Sequence, residues 1–195
     1  MKFAVSNIAW PFNSRFKAYA LLEKYHVRNL EVAPGLLFPN DKDPLEPSES
    51  SVREALAELE NHDLELVSMQ SLLYSLDPAV TLFDKKGRLQ IKVMLKKVSA
   101  LAARLGLKNL VFGAPNQRKI GKGSDSVGAE KVFIEFMSEV SAELEPYGVI
   151  LALEPLGCQF GRVVAGPLAD CKRALERVGC ENIRMNYDMG AFLSE

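Results

Sequence analysis

Six short apolar runs, separated by stretches of helical periodicity, restrict this chain to very few folds. The runs are Phe3–Ile8 (FAVSNI), Asn29–Ala33 (NLEVA), Leu64–Met69 (LELVSM), Asn109–Gly113 (NLVFG), Val149–Glu154 (VILALE) and Ile183–Asp188 (IRMNYD). Most of their residues are β-branched, aromatic or otherwise apolar, as in strands buried on both faces. They recur at intervals of roughly 25 to 45 residues, the rhythm of strand–helix–strand units.

The gaps predict helices. Residues 14–26 carry Phe16, Tyr19 and Ala20 on one stripe, and residues 51–62 open with Ser51-Val-Arg-Glu54, a capping-box pattern, before Val52, Leu56 and Leu59. Residues 86–105 place Ile91, Met94, Leu95, Val98, Leu101 and Ala102 at helical spacing, with Gly106 as a stop. Residues 126–146 repeat the pattern through Val132, Phe133, Phe136, Met137, Val140 and Leu144, and residues 167–178 run from Pro167 to Gly179. Pro39–Ser51 is polar and proline-rich, and is expected to be a long loop.

Six strands alternating with five helices give a parallel α/β sheet. An open doubly wound sheet and a (β/α)8 barrel compete. A dinucleotide-binding sheet would carry a GxGxxG turn after its first strand, and none stands there, which favours the barrel. The expected fold is therefore α/β, a TIM-barrel-type domain over residues 1–195, incomplete after the sixth strand.

Composition narrows the function. Of 195 residues, 48% are hydrophobic, which excludes a disordered chain. No apolar run approaches the roughly 18 residues that span a bilayer, and the N-terminus is too polar for a signal peptide, so the expectation is a cytoplasmic protein without a membrane partner. Lys and Arg number 24 against 25 Asp and Glu, a balance that argues against nucleic-acid binding. The three cysteines, Cys158, Cys171 and Cys180, have no CxxC spacing and are expected to be reduced structural thiols. The two histidines, His26 and His62, close helices and are expected on the surface away from the site.

In parallel α/β folds the site lies at the carboxyl ends of the strands. Here those ends are polar: Asn7 with Trp10 beyond, Glu31, Gln70, then Asn116 and Arg118, Glu154, and Asn186 with Asp188. Glu31, Glu154 and Asp188 crowded at one mouth would repel one another unless a proton or a divalent cation joined them, and carboxylate oxygens suit Mg2+ or Mn2+. The loop GAPNQRKIGKGSDS, with Arg118, Lys119 and Lys122 ahead of a helix start near Ser126, is expected to hold a phosphate or another substrate anion. Trp10 is expected to line the substrate pocket. Asn7, Glu31, Gln70 and Asn116 complete the expected substrate-binding set.

The set FAVSNIAW, LEVAP, VSMQSLLY, NLVFGAPNQR, LALEPLG and NYDMG, in that order along nearly the whole chain, resembles the sugar phosphate isomerase/epimerase group of the xylose isomerase-like TIM barrels. The resemblance implies a divalent metal (Mn2+, Mg2+ or Zn2+) at the mouth. Glu154 would match the family's fifth-strand glutamate, both ligand and acid/base, and Asp188 its sixth-strand aspartate ligand. A histidine and a glutamate from a seventh and an eighth strand would complete the set, but the sequence stops at Glu195. Many members carry a histidine where Ala191 stands here. The chain is therefore expected to be a fragment, to take strands from elsewhere, or to have lost activity, and the apolar edges of an unclosed barrel point to a homo-oligomer. The expected activity is isomerisation or epimerisation of a small sugar or sugar phosphate through an enediolate, with Glu154 removing the proton. The alternatives are a non-catalytic, sugar-binding or partner-dependent remnant, and an apurinic-endonuclease-like phosphodiesterase.

Overall fold

Leu30 and Val32, Leu110 and Phe112, and Leu151 and Leu153 are buried while the residue between each pair is only half so, because their strands face a helical layer on one side and a concave surface on the other. A computed structural model describes residues 3–121, 123 and 125–187. The strands are β1 (Ala4–Ser6), β2 (Asn29–Val32), β3 (Glu65–Met69), β4 (Asn109–Phe112), β5 (Ile150–Leu153) and β6 (Ile183–Met185). All neighbours are parallel, in the spatial order β1-β2-β3-β4-β5-β6. That order decides between the two architectures. A doubly wound sheet reverses direction at a switch point and carries helices on both faces. Here every crossover steps the same way, which puts the helices on one face and makes the sheet a barrel wall.

The helices are α1 (Arg15–Lys24), α2 (Pro34–Leu37), α3 (Glu49–Glu60), α4 (Lys85–Arg104), α5 (Ser126–Leu144) and α6 (Leu168–Val178). α5 buries Phe133, Phe136, Met137, Val140 and Leu144 along one stripe, and α4 buries Ile91, Leu95, Val98 and Ala102. They pack on Leu30, Val32, Met69, Leu110, Phe112, Leu151 and Leu153, all buried. Each large side chain so placed contributes about 1.5–3 kcal/mol of burial. The opposite, concave face carries Ser6, Glu31, Ser68, Val111, Ala152 and Arg184, which register aligns in two rows. None of the described helices is long and apolar enough to cross a membrane.

Three local expectations change. The run at Phe3–Ile8 stops as a strand at Ser6, where Asn7–Ala9 turns into a 3-10 helix. The cap of α3 is Ser48, extended at φ −63° and ψ 159°, and its Oγ accepts the Ser51 N–H at 3.1 Å. Ser51 therefore sits inside the first turn rather than capping it. The turn α2 was not expected; Pro34 starts it with a preset φ.

Between β3 and α4 the chain forms a long loop, pinned at its end. Leu82 N–H donates to Gln117 O at 3.1 Å, Thr81 Oγ1 to the same oxygen at 3.4 Å, and Asp84 caps α4 by accepting from Gly87 N–H at 2.8 Å. Gly87 is part of that join: a Cβ there would lie 2.0 Å from Thr81 O. Glycine to alanine inside a helix ordinarily stabilises by about 0.5–1 kcal/mol. At this position Gly87→Ala is expected to destabilise by roughly 1–3 kcal/mol, because backbone must move. Urea unfolding reads the sign directly, and a midpoint above wild type would refute this account of the loop.

Candidate active site

At the carboxyl ends of β3, β4 and β5 lies a cavity of about 380 Å³, walled by Gln70, Tyr74, Asn116, Glu154, Leu156 and Phe160 among others. The volume suits a small molecule. Larger cavities exist elsewhere, one of about 640 Å³ beside α5 and α6. There Arg173 pairs with Glu130 and Asp170, and Arg177 with Glu130, so those charges satisfy each other. The cavity at the strand ends holds Glu154 and is the candidate site.

Glu154 follows β5 directly, on the concave side, and is half-buried. Its N–H donates to Phe112 O at 3.1 Å. Its carboxylate lies over Gly113, so that a Cβ on Gly113 would fall 2.3 Å from Oε2. Two residues of the cavity wall, Ser71 (φ 57°) and Ala114 (φ 47°), adopt left-handed backbone without being glycine. Such strain persists only where surrounding contacts fix the chain.

Glu31 and Gln70 form one network. Gln70 Nε2 donates to Ser6 Oγ and to Glu31 Oε1, both at 2.7 Å, and Ser68 Oγ donates to Glu31 Oε2 at 2.8 Å. Neutral donors thus engage both carboxylate oxygens of Glu31. Register aligns Glu31 with Ser68, Asn109 and Ile150, lower along the ladder than Glu154. The expected convergence of Glu31 with Glu154 is therefore corrected: Glu31 orients Gln70. With both N–H groups spent, Gln70 offers a ligand its carbonyl oxygen.

Arg118 is a second correction. It is 0% exposed, so it does not face a substrate anion in the cavity. Its five N–H donors are all spent on backbone carbonyls. Nη1 bonds Gly113 O and Glu154 O, each at 2.8 Å; Nε and Nη2 bond Val164 O at 3.2 and 3.1 Å; and Nη2 also bonds Ala165 O. Burial pushes its pKa down to about 10, while the neighbouring Cys171 and Glu154 side chains act the other way, so it remains a cation at neutral pH. The expected anion site at the start of α5 is likewise occupied from within. Asp125 caps that helix, accepting from Gly128 N–H at 2.8 Å and Val127 N–H at 3.1 Å, bonds that hold its carboxyl below the usual range.

Asn7 is buried and grips Ala33, accepting its N–H at 2.8 Å and donating to its carbonyl at 3.4 Å. It ties the end of β1 to the turn after β2 instead of meeting a ligand. Trp10 stands edge-on to Tyr19 of α1, centroids 6.2 Å apart, in the helical layer, and other residues wall the cavity. Asn116 does line the cavity and is exposed. His62 packs near Tyr19, with ring centroids 5.4 Å apart. Cys171 is buried, with Sγ donating to Ala165 O. Asp188 and Lys122 lie outside the described residues. Among the described residues no group of three or more His, Cys, Asp and Glu converges to hold a metal ion. They therefore fit the implied cation only in part, with Glu154 as an oxygen donor at the mouth. The aromatic walls, Tyr74 at 91% exposure and Phe160, were missed in the sequence, where they carry no periodic signal.

A family model described as a xylose isomerase-like TIM barrel matches residues 30–195. Among solved structures, a D-psicose 3-epimerase determined in the presence of D-fructose is similar at TM-score 0.69 and 16% identity, over 95% of this chain and 62% of that one. The D-psicose 3-epimerase from Clostridium cellulolyticum H10, solved with D-tagatose, gives TM-score 0.71 and 17% identity over 100% of this chain and 69% of its own. The 3-keto-D-glucoside 4-epimerase YcjR from E. coli gives 0.69 and 15%, covering 95% of this chain and 67% of that one. This chain thus spans about 62% of the length of the first of these. No curated protein matches the chain. With six parallel strands in consecutive order and a family match over most of its length, the chain belongs to the xylose isomerase-like TIM-barrel family.

Proposed function

We propose that this chain, as one barrel-type domain over residues 1–195, acts in isomerisation or epimerisation of a small sugar, with Glu154 moving the proton at a carbon next to a carbonyl. The observation that carries the reading is the Glu154 carboxylate at the end of β5, in a cavity whose other walls are amides and aromatic rings. The amides of Gln70 and Asn116 suit hydroxyl groups, and Tyr74 and Phe160 present apolar faces to the C–H side of a sugar ring. The solved structures named above are of sugar epimerases, which agrees with this reading.

Glu154 removes the proton and leaves an enediolate. Returning it to the neighbouring carbon on the same face, while the hydroxyl proton passes from one enediolate oxygen to the other, completes an isomerisation with one base at carbon. Inverting a single carbon needs a second group on the opposite face. Glu154 is the one carboxylate among the described residues that wall the cavity. The proposed substrate is a neutral sugar rather than a sugar phosphate, because Arg118 is spent on carbonyls and Asp125 occupies the start of α5. The proposed cofactor is a divalent cation, Mn2+, Mg2+ or Zn2+, held by Glu154 and Asp188. What it supplies when bound is charge neutralisation at the developing enediolate oxygen.

The test is solvent exchange. The chain is incubated with D-fructose, D-tagatose and D-psicose in D2O with added Mn2+, and NMR follows deuterium entering beside the carbonyl. Exchange is expected for at least one sugar, and Glu154→Gln is expected to slow it by about 10²–10⁴-fold without a change in Tm. Unchanged exchange in that variant, or none in wild type, would refute the assignment. Equilibrium dialysis is expected to find Mn2+ bound by wild type and weakened by more than about tenfold in Asp188→Asn. Equal binding by both would remove Asp188 from the proposed ligands.

A further inference from the structure

Gly113 is a glycine without a backbone reason to be one. Its φ is not among the positive glycine values, so alanine could adopt the same conformation. What the position uses is the missing side chain. The Glu154 carboxylate fills that space, with Oε2 2.3 Å and Cδ 3.5 Å from where a Cβ would stand. The next neighbour, Leu156 Cδ2, is at 3.9 Å, an ordinary contact. The backbones on either side of the notch are held by one atom. Arg118 Nη1 bonds both Gly113 O and Glu154 O at 2.8 Å. The same residue's N–H bonds the carbonyl of left-handed Ala114 at 3.1 Å, and its Nη2 bonds the carbonyl of left-handed Ala165.

We propose that Gly113 and Arg118 are positioning residues for Glu154: the glycine leaves the notch in which the carboxylate rests, and the guanidinium fixes the spacing of the two strand ends that form it. The proposal rests on Glu154 being the proton-moving group, but its placement can be measured without a substrate.

Gly113→Ala separates placement from stability. The only close atom is the far end of a flexible side chain, so the carboxylate can swing aside while the fold stays intact. Alanine also restricts the unfolded chain, so Tm is expected to hold or rise slightly. A carboxylate displaced by about an ångström is expected to lower kcat by roughly 10²-fold. KM should stay within about twofold, because the loss falls on the transition state. Without substrate, the 13C resonance of the Glu154 carboxyl, labelled and assigned through Glu154→Gln, is expected to move in Gly113→Ala. An unmoved resonance, or wild-type kcat on a sugar that wild type turns over, would overturn the role of Gly113. Should wild type exchange no sugar, the functional reading fails, and the resonance still decides the placement.

Arg118 is tested by a pair. Arg118→Met loses every carbonyl bond and is expected to melt lower and to lose kcat. Arg118→Lys keeps a cation able to bridge the Gly113 and Glu154 carbonyls, and is expected to melt lower yet recover most of kcat, with the Glu154 resonance near its wild-type position. Equal loss of kcat in both variants would make Arg118 a fold element without a positioning role.

Discussion

One buried guanidinium holds the working end of this barrel wall together. Taking a cation out of water costs several kcal/mol, and at Arg118 the nearby Glu154 carboxylate offsets part of it by its field. Five N–H···O=C bonds add to this, spread over Gly113, Glu154, Val164 and Ala165. Each of those carbonyls ends a strand or belongs to a loop and would otherwise need its own partner. The exchange is reciprocal: the charge is solvated by backbone, and the backbone of three segments is held by the charge. Ala114 and Ala165, both left-handed, stay in that strained state with their carbonyls tied to the same residue.

The concave face divides into two chemically different halves. On β1, β2 and β3 the polar side chains satisfy one another, with Ser6, Glu31, Ser68 and Gln70 closed into a network. Beyond β4 and β5 the wall opens into the cavity that holds Glu154. Two glutamates at strand ends thus have different tasks. Glu31 is held by neutral donors and orients an amide. Glu154 rests in a gap left by glycine, beside the space a ligand would take.

The strands and helices were legible in the sequence because burial on a fixed period is a local signal. The stripes of α4 and α5 and all six apolar runs fell within a few residues of their observed ends. The place of Glu154 in the cavity wall was legible for a related reason, since an apolar strand that ends on a carboxylate needs an explanation. Arg118 was not. In GAPNQRKIGKGSDS its neighbours are glycine, lysine and polar residues, the composition of an exposed anion loop. What buries it is a crown of carbonyls from residues 164 and 165, and nothing near Arg118 encodes that contact. Asn7 misled in the same way, for its partner Ala33 lies on the next strand's turn. Cavity walls such as Tyr74, on a loop, and Phe160, on a single 3-10 turn, carry no periodicity that marks them.

The hydrogen bond from Leu82 to Gln117 joins the loop after β3 to the loop after β4. The first carries Tyr74 and the second Asn116, both in the cavity wall. Knitted through that bond near Gly87, the two banks share a common root. Two walls tied at one root are coupled, so a change that frees Leu82 from Gln117 would be felt on both sides of the opening.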